Sequence, residues 1–146
     1  MPPPTPLPFV GQAFIQLMRQ HRYLLEQGLG KLGLHVGQEM ILFQLWQKDG
    51  VTQSEISGCI EVSAPTVTKM LQGLEANGII LRQPDPHDAR SLRVYLTEKG
   101  QALEPAVCAL WQDTEAQMLH GVNEAERLLL LRLLDQMREN LSKNPK

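Results

Sequence analysis

The chain has two cysteines and four histidines in 146 residues, and a formal net charge of −2. Cys59 and Cys108 stand far apart with no CxxC or clustered His/Cys spacing, so the sequence encodes neither a disulfide framework nor a metal site. His21, His35, His87 and His120 are scattered over different segments. No HExxH, Ser/His/acid set or glycine-rich phosphate loop accompanies them, so an enzyme is not expected and no cofactor is implied. Long apolar runs are missing too: no stretch approaches the roughly 20 residues that span a bilayer. The opening eight residues, with five prolines, lack the basic start and apolar core of a secretion signal. The expected location is therefore the cytoplasm, with residues 1–8 an extended, disordered arm.

The small acidic excess argues against a general polyanion binder. Residues 1–62 hold four cations and five acids, 63–95 four and three, and 96–146 six and eight. Only the middle segment has a positive balance, so any nucleic-acid binding must rest on placed contacts. At 42% hydrophobic residues the chain has enough apolar material for one core.

That middle segment carries the clearest pattern. Ser63 can cap a helix, Pro65 fits its first turn, and Asn77-Gly78 supplies a left-handed stop. At about 100° per residue, Val67, Met70, Leu71 and Leu74 share one core-facing arc. Pro65, Thr68, Lys69 and Gln72 lie opposite, in place of the Glu/Lys mixture of an ordinary solvated face. Hydroxyls, an amide and one cation suit phosphates and base edges. Upstream, Thr52-Gln53-Ser54-Glu55 is a capping box for a short helix ending near Ile60. Two such helices make a helix-turn-helix, although a small helical hairpin of any kind has the same signature.

A β-hairpin follows. Ile79, Ile80 and Leu81 form one run, and Leu92, Val94 and Leu96 alternate with Arg93 and Tyr95 in the other. The turn formers Pro84, Asp85, Pro86, Asp88 and Ser91 predict a loop projecting into water that carries Arg90. An arginine so placed can enter a narrow minor groove while nearby Asp88 holds its fork; a solvated surface arginine is the alternative.

The remaining chain reads as helical. One helix runs from Phe9 to about Leu32, ended by glycines at 28, 30 and 33, and a second from about Gly37 to Lys48. Thr97 caps a long helix to about His120 that tolerates Gly100 and Pro105 near its start, and a capping box at Asn123–Glu126 opens the last. Leu128, Leu129, Leu130 and Leu131 cover every side of one turn, which predicts a partner chain; one overfilled helical domain is the alternative.

With these parts in order, residues 36–97 resemble the winged helix-turn-helix of the multiple-antibiotic-resistance regulator (MarR) family. The resemblance is carried by T-Q-S-E-I, V-S-A-P-T-V-T-K-M-L, L-E-A-N-G-I-I, D-P-H-D-A-R-S in the wing and L-T-E-K-G after it. It implies a mainly α fold with a small β-hairpin, in which helices at 9–35 and 98–146 dimerise around the reading unit. It further implies a homodimeric repressor of double-stranded DNA on a pseudo-palindromic operator, with half-sites roughly 10 base pairs apart. By this resemblance Ser63, Pro65, Thr66, Thr68, Lys69 and Gln72 reach the major groove, and Arg90, braced by Asp88, the minor groove. The match departs where His87, Ala89 and Ala64 stand at positions that are often basic in the family, which predicts weaker, more salt-sensitive DNA binding.

Many relatives release DNA when a small aromatic acid or phenol enters a cleft beside the dimer helices. The corresponding candidates are Arg19, Arg22, Tyr23, Met40, Phe43, Trp46 and Trp111, all of which also fit packing or solvated surface. Two other readings stay open: a winged helix used for protein interaction, and a redox-responsive regulator using Cys59 before the recognition helix.

Overall fold

The structure is a computed structural model and describes residues 9–143. The arm expected at residues 1–8 lies outside the described residues. In chain order the elements are α1 (Val10–Lys31), α2 (Gln38–Gln47), β1 (Val51–Thr52), α3 (Gln53–Ile60), α4 (Ala64–Ala76), β2 (Ile80–Asp85), β3 (Asp88–Leu96), α5 (Glu98–Ala102), α6 (Glu104–Met118) and α7 (Glu124–Ser142). The fold is mainly α with a small three-stranded antiparallel sheet in the order β1-β3-β2.

Local chemistry sets the helix boundaries. The Thr52 hydroxyl accepts from the Glu55 N–H at 3.1 Å, and the Glu55 carboxylate accepts from the Thr52 N–H at 3.0 Å, closing the box that starts α3. Glu61 then turns the chain at φ 51°, and Ser63 caps α4 by accepting from the Thr66 N–H at 3.4 Å. Gly78 ends α4 at φ 72°, a conformation a side chain would strain. The box at Asn123 and Glu126 starts α7.

Three boundaries differ from the sequence reading. Gly28 and Gly30 lie inside α1, and the chain leaves the helix only at Gly33; Gly28 is where Leu110 of α6 packs, leaving no space for a Cβ. The projecting loop expected between Pro84 and Ser91 is shortened by pairing of Pro84 with Leu92 and of Asp85 with Asp88, while the register shifts between those pairs and leaves Ala89, Arg90 and Ser91 without cross-strand partners. Asp85 Oδ1 accepts from the His87 N–H at 2.9 Å and folds the tip within Pro86 and His87. The long helix expected after Thr97 is interrupted at Leu103. Pro105 removes a backbone donor and crowds the carbonyl four residues earlier, although Leu103 keeps right-handed dihedrals (φ −76°, ψ −18°).

One core joins α1, α2 and α6 to the sheet and to α3 and α4. Leu29, Ile41, Leu42, Ile56, Val67, Leu71, Leu74 and Val94 are fully enclosed in it. Gly100 closes its edge: a Cβ there would strike the Ile79 carbonyl, and its own carbonyl accepts from Trp46 Nε1 at 3.1 Å. By contrast, α7 contributes no buried residue, and Leu128 to Leu131 are 41–63% exposed. The first turns of α1 are equally open, with Phe14 and Leu17 exposed. No helix among the described residues is long and apolar enough to cross a membrane.

Candidate nucleic-acid interface

Helix α4 turns Val67, Leu71 and Leu74 into the core, which leaves its other side to solvent. Pro65, Lys69 and Gln72 are exposed there, as their angular positions require, and Ser63 and Thr66 are exposed at the N-terminal end of the helix. Neither Lys69 nor Gln72 makes a side-chain hydrogen bond or ion pair among the described residues.

Thr68 is different. It is half-buried, its hydroxyl donates to the Ala64 carbonyl at 3.0 Å, and the same oxygen accepts from Gln53 Nε2 at 2.8 Å. Its hydroxyl thus holds α3 against α4. The chain continues outward: Gln53 Oε1 accepts from Arg82 Nη1 at 3.4 Å, and Arg82 grips Glu75 with Nη2 at 3.0 Å and Nε at 3.3 Å. That two-pronged bond holds the Glu75 carboxyl below its usual range. Sequence reasoning missed Gln53, Glu75 and Arg82. The signal for Arg82 was strand alternation, since it shares a face with buried Ile80.

The wing is built the same way. Arg93 donates to the Gly50 carbonyl at 2.7 Å and pairs with Asp85 at 3.3 Å. The Asp85 carboxyl is held low first by the His87 N–H and then by Arg93. Arg90 is exposed, with no ion pair among the described residues. Asp88 braces it through the backbone, accepting from the Arg90 N–H at 3.1 Å; the expected bond to the guanidinium is not formed. Of the four cations in residues 63–95, Arg82 and Arg93 are neutralised by carboxylates, while Lys69 on α4 and Arg90 on the wing are exposed without an ion pair among the described residues.

A second cluster lies between α1, α2 and α6. Phe43 meets Trp46 and Trp111 edge-on at 5.6 and 5.8 Å, and His21 meets Trp111 at 5.5 Å. Trp111 Nε1 is buried without a partner among the described residues. At about 100° per residue Arg19, Arg22 and Tyr23 fall on other faces of α1 than His21, and Arg22 pairs with Glu26 at 3.0 Å. Met40 is exposed. One chain therefore brings Phe43, Trp46 and Trp111 together but not Arg19, Arg22, Tyr23 or Met40. Beside this cluster Glu39 is 2% exposed and accepts from the Gly37 N–H at 2.8 Å. Burial raises its pKa, against the opposing pull of the backbone N–H groups and His21. Cys59 is exposed at the end of α3 and Cys108 half-buried on α6, both as free thiols.

Helix-turn-helix, three-stranded sheet and a protruding hairpin define a winged helix-turn-helix protein. Residues 34–92 match the family model described as MarR family. A MarR transcriptional regulator from Methanosarcina mazei Go1 is 30% identical, with 92% of this chain and 97% of that one covered at a TM-score of 0.80. The transcriptional regulator SlyA is 28% identical over 92% and 94% of the two chains, at 0.82. A cysteine-to-serine variant of MarR from E. coli, complexed with operator DNA, is 25% identical over 88% and 92%, at 0.80. The chain belongs to the MarR family of transcriptional regulators.

Proposed function

We propose that this chain is a sequence-specific, double-stranded-DNA-binding regulator that acts as a homodimer and represses by occupying a pseudo-palindromic operator. The observation that carries this reading is the pair of cations without an ion-pair partner among the described residues, Lys69 on α4 and Arg90 on the wing, in a segment, residues 63–95, whose other two cations, Arg82 and Arg93, are held by carboxylates. In this reading α4 lies in the major groove with Ser63, Pro65, Thr66, Lys69 and Gln72 toward the DNA, and Arg90 enters the neighbouring minor groove. Thr68 supports the helix from behind, and Asp88 shapes the backbone that presents Arg90. The exposed leucines of α7 and the open face of α1 supply the apolar surface for a two-fold partner, so that residues 9–35 and 98–146 form the dimerising frame around residues 36–97. The lack of a spanning helix among the described residues fits action in the cytoplasm. The family membership, and the operator complex formed by the MarR relative, support the same reading.

We further propose that a small aromatic acid or phenol acts as inducer beside Phe43, Trp46 and Trp111, where the unpartnered indole N–H offers a donor. The test of the main reading is selection of duplexes by the purified protein, followed by titration against salt. An enriched two-part site whose affinity falls steeply with salt is expected, because each phosphate neutralised contributes a slope of about −0.9 in log–log form. No enrichment, or binding indifferent to salt, would favour the protein-interaction module.

A further inference from the structure

Gln38 opens α2 and is 4% exposed, a buried amide remote from the surfaces described above. Its Oε1 accepts from the His35 N–H at 2.9 Å, and its Nε2 donates to the Met70 carbonyl, 3.5 Å away on α4. The two ends are not interchangeable. Turned over, the amide would set its NH2 against the His35 N–H and its oxygen against the Met70 carbonyl. The surroundings are close-fitting: a Cβ at Gly73 would lie 2.9 Å from Nε2, and a Cβ at Gly37 2.8 Å from the Met70 methyl carbon.

Polar contacts from Gln53 to Thr68 and from Arg82 to Glu75 hold α4 at its flanks; on its inner side, apart from the Gln38 contact, it is held by Val67, Leu71 and Leu74, whose apolar packing is tolerant of small shifts. A directional polar contact is not, because it is satisfied in one arrangement and costly in the others. We infer that Gln38 is a positioning residue, the buried amide that fixes how the recognition helix sits against the corner between α1 and α2. Through that helix it sets how far Lys69 and Gln72 project. The inference rests on α4 being the DNA-reading helix.

The test compares the full-length protein with Gln38→Glu and Gln38→Met on the duplex that the unaltered protein selects, from about pH 5 to about pH 8. A protonated glutamic acid keeps the acceptor for His35 and offers an O–H to Met70; the ionised form sets a charge against that carbonyl. His21, His35 and Glu39 are common to all three proteins, so the ratio of variant to parent isolates position 38. The expected result is near-parental binding by the Glu variant at the acid end and a loss of about tenfold at the alkaline end, with the Met variant about tenfold weaker throughout. If the Met variant does not fold, the pH-dependent ratio of the Glu variant still decides. Parental binding by the Glu variant at every pH, or a deficit that does not change with pH, overturns the positioning role. Failure of the unaltered protein to select any duplex overturns the DNA-reading proposal itself.

Discussion

Lys69 and Arg90 separate two ways of losing affinity. Arg90→Ala removes a cation from the wing and should cost about 1–3 kcal/mol of operator binding, with the melting temperature nearly unchanged because the residue is exposed and makes no ion pair among the described residues. Lys69→Ala should weaken binding and flatten the salt slope by about one unit if it meets phosphate; salt-titrated fluorescence anisotropy reads both. Glu39 makes a different prediction. Its folded pKa is raised, so its contribution to stability is full below the unfolded value of 4.5 and is lost as pH rises through the folded value. Glu39→Gln removes the buried charge. The variant should gain in Tm relative to the parent as pH goes from acid to neutral, and a constant difference across that range would refute the burial argument. Glu75, with its pKa lowered by Arg82, has the opposite sign: its stabilisation is present above 4.5 and disappears on acidification.

At the scale of elements, what could be read from the sequence was what neighbours in sequence decide. Thr52 with Glu55, Ser63 with Thr66, Gly78, and Asn123 with Glu126 are contacts of a few residues, and α3, α4 and α7 begin or end at them. What could not be read depends on partners far along the chain. Thr68 has the angular position of an outward residue, yet its hydroxyl is claimed by Gln53, fifteen positions earlier. The wing tip is rich in turn formers, but cross-strand pairing with Leu92 absorbs Pro84 and leaves only two residues to turn. Pro105, expected to be tolerated near the start of one long helix, instead divides it at Leu103. Gly100 shows the same limit, because only the fold brings it under Ile79. Gly100→Ala gains about 1 kcal/mol of helix propensity but forces side chain against backbone, at a cost of about 1–3 kcal/mol. Net destabilisation is expected in urea melts, and a more stable variant would refute the close contact.

The whole molecule is defined as much by what it leaves open as by its core. Among the described residues, most apolar side chains of α7 and of the start of α1 stay exposed, and their sequence signature, four consecutive leucines, needed no tertiary information to notice. Light scattering should therefore return twice the chain mass at micromolar concentration, and the melting temperature should rise with protein concentration. A monomer with a concentration-independent Tm would remove the paired-head mechanism. The same bare helix bears on how such a protein is supplied. In the proposed dimer, a chain newly released from the ribosome leaves most apolar side chains of α7 exposed until a partner arrives, so synthesis rate and clearance of unmatched subunits would together determine how much competent regulator a cell holds.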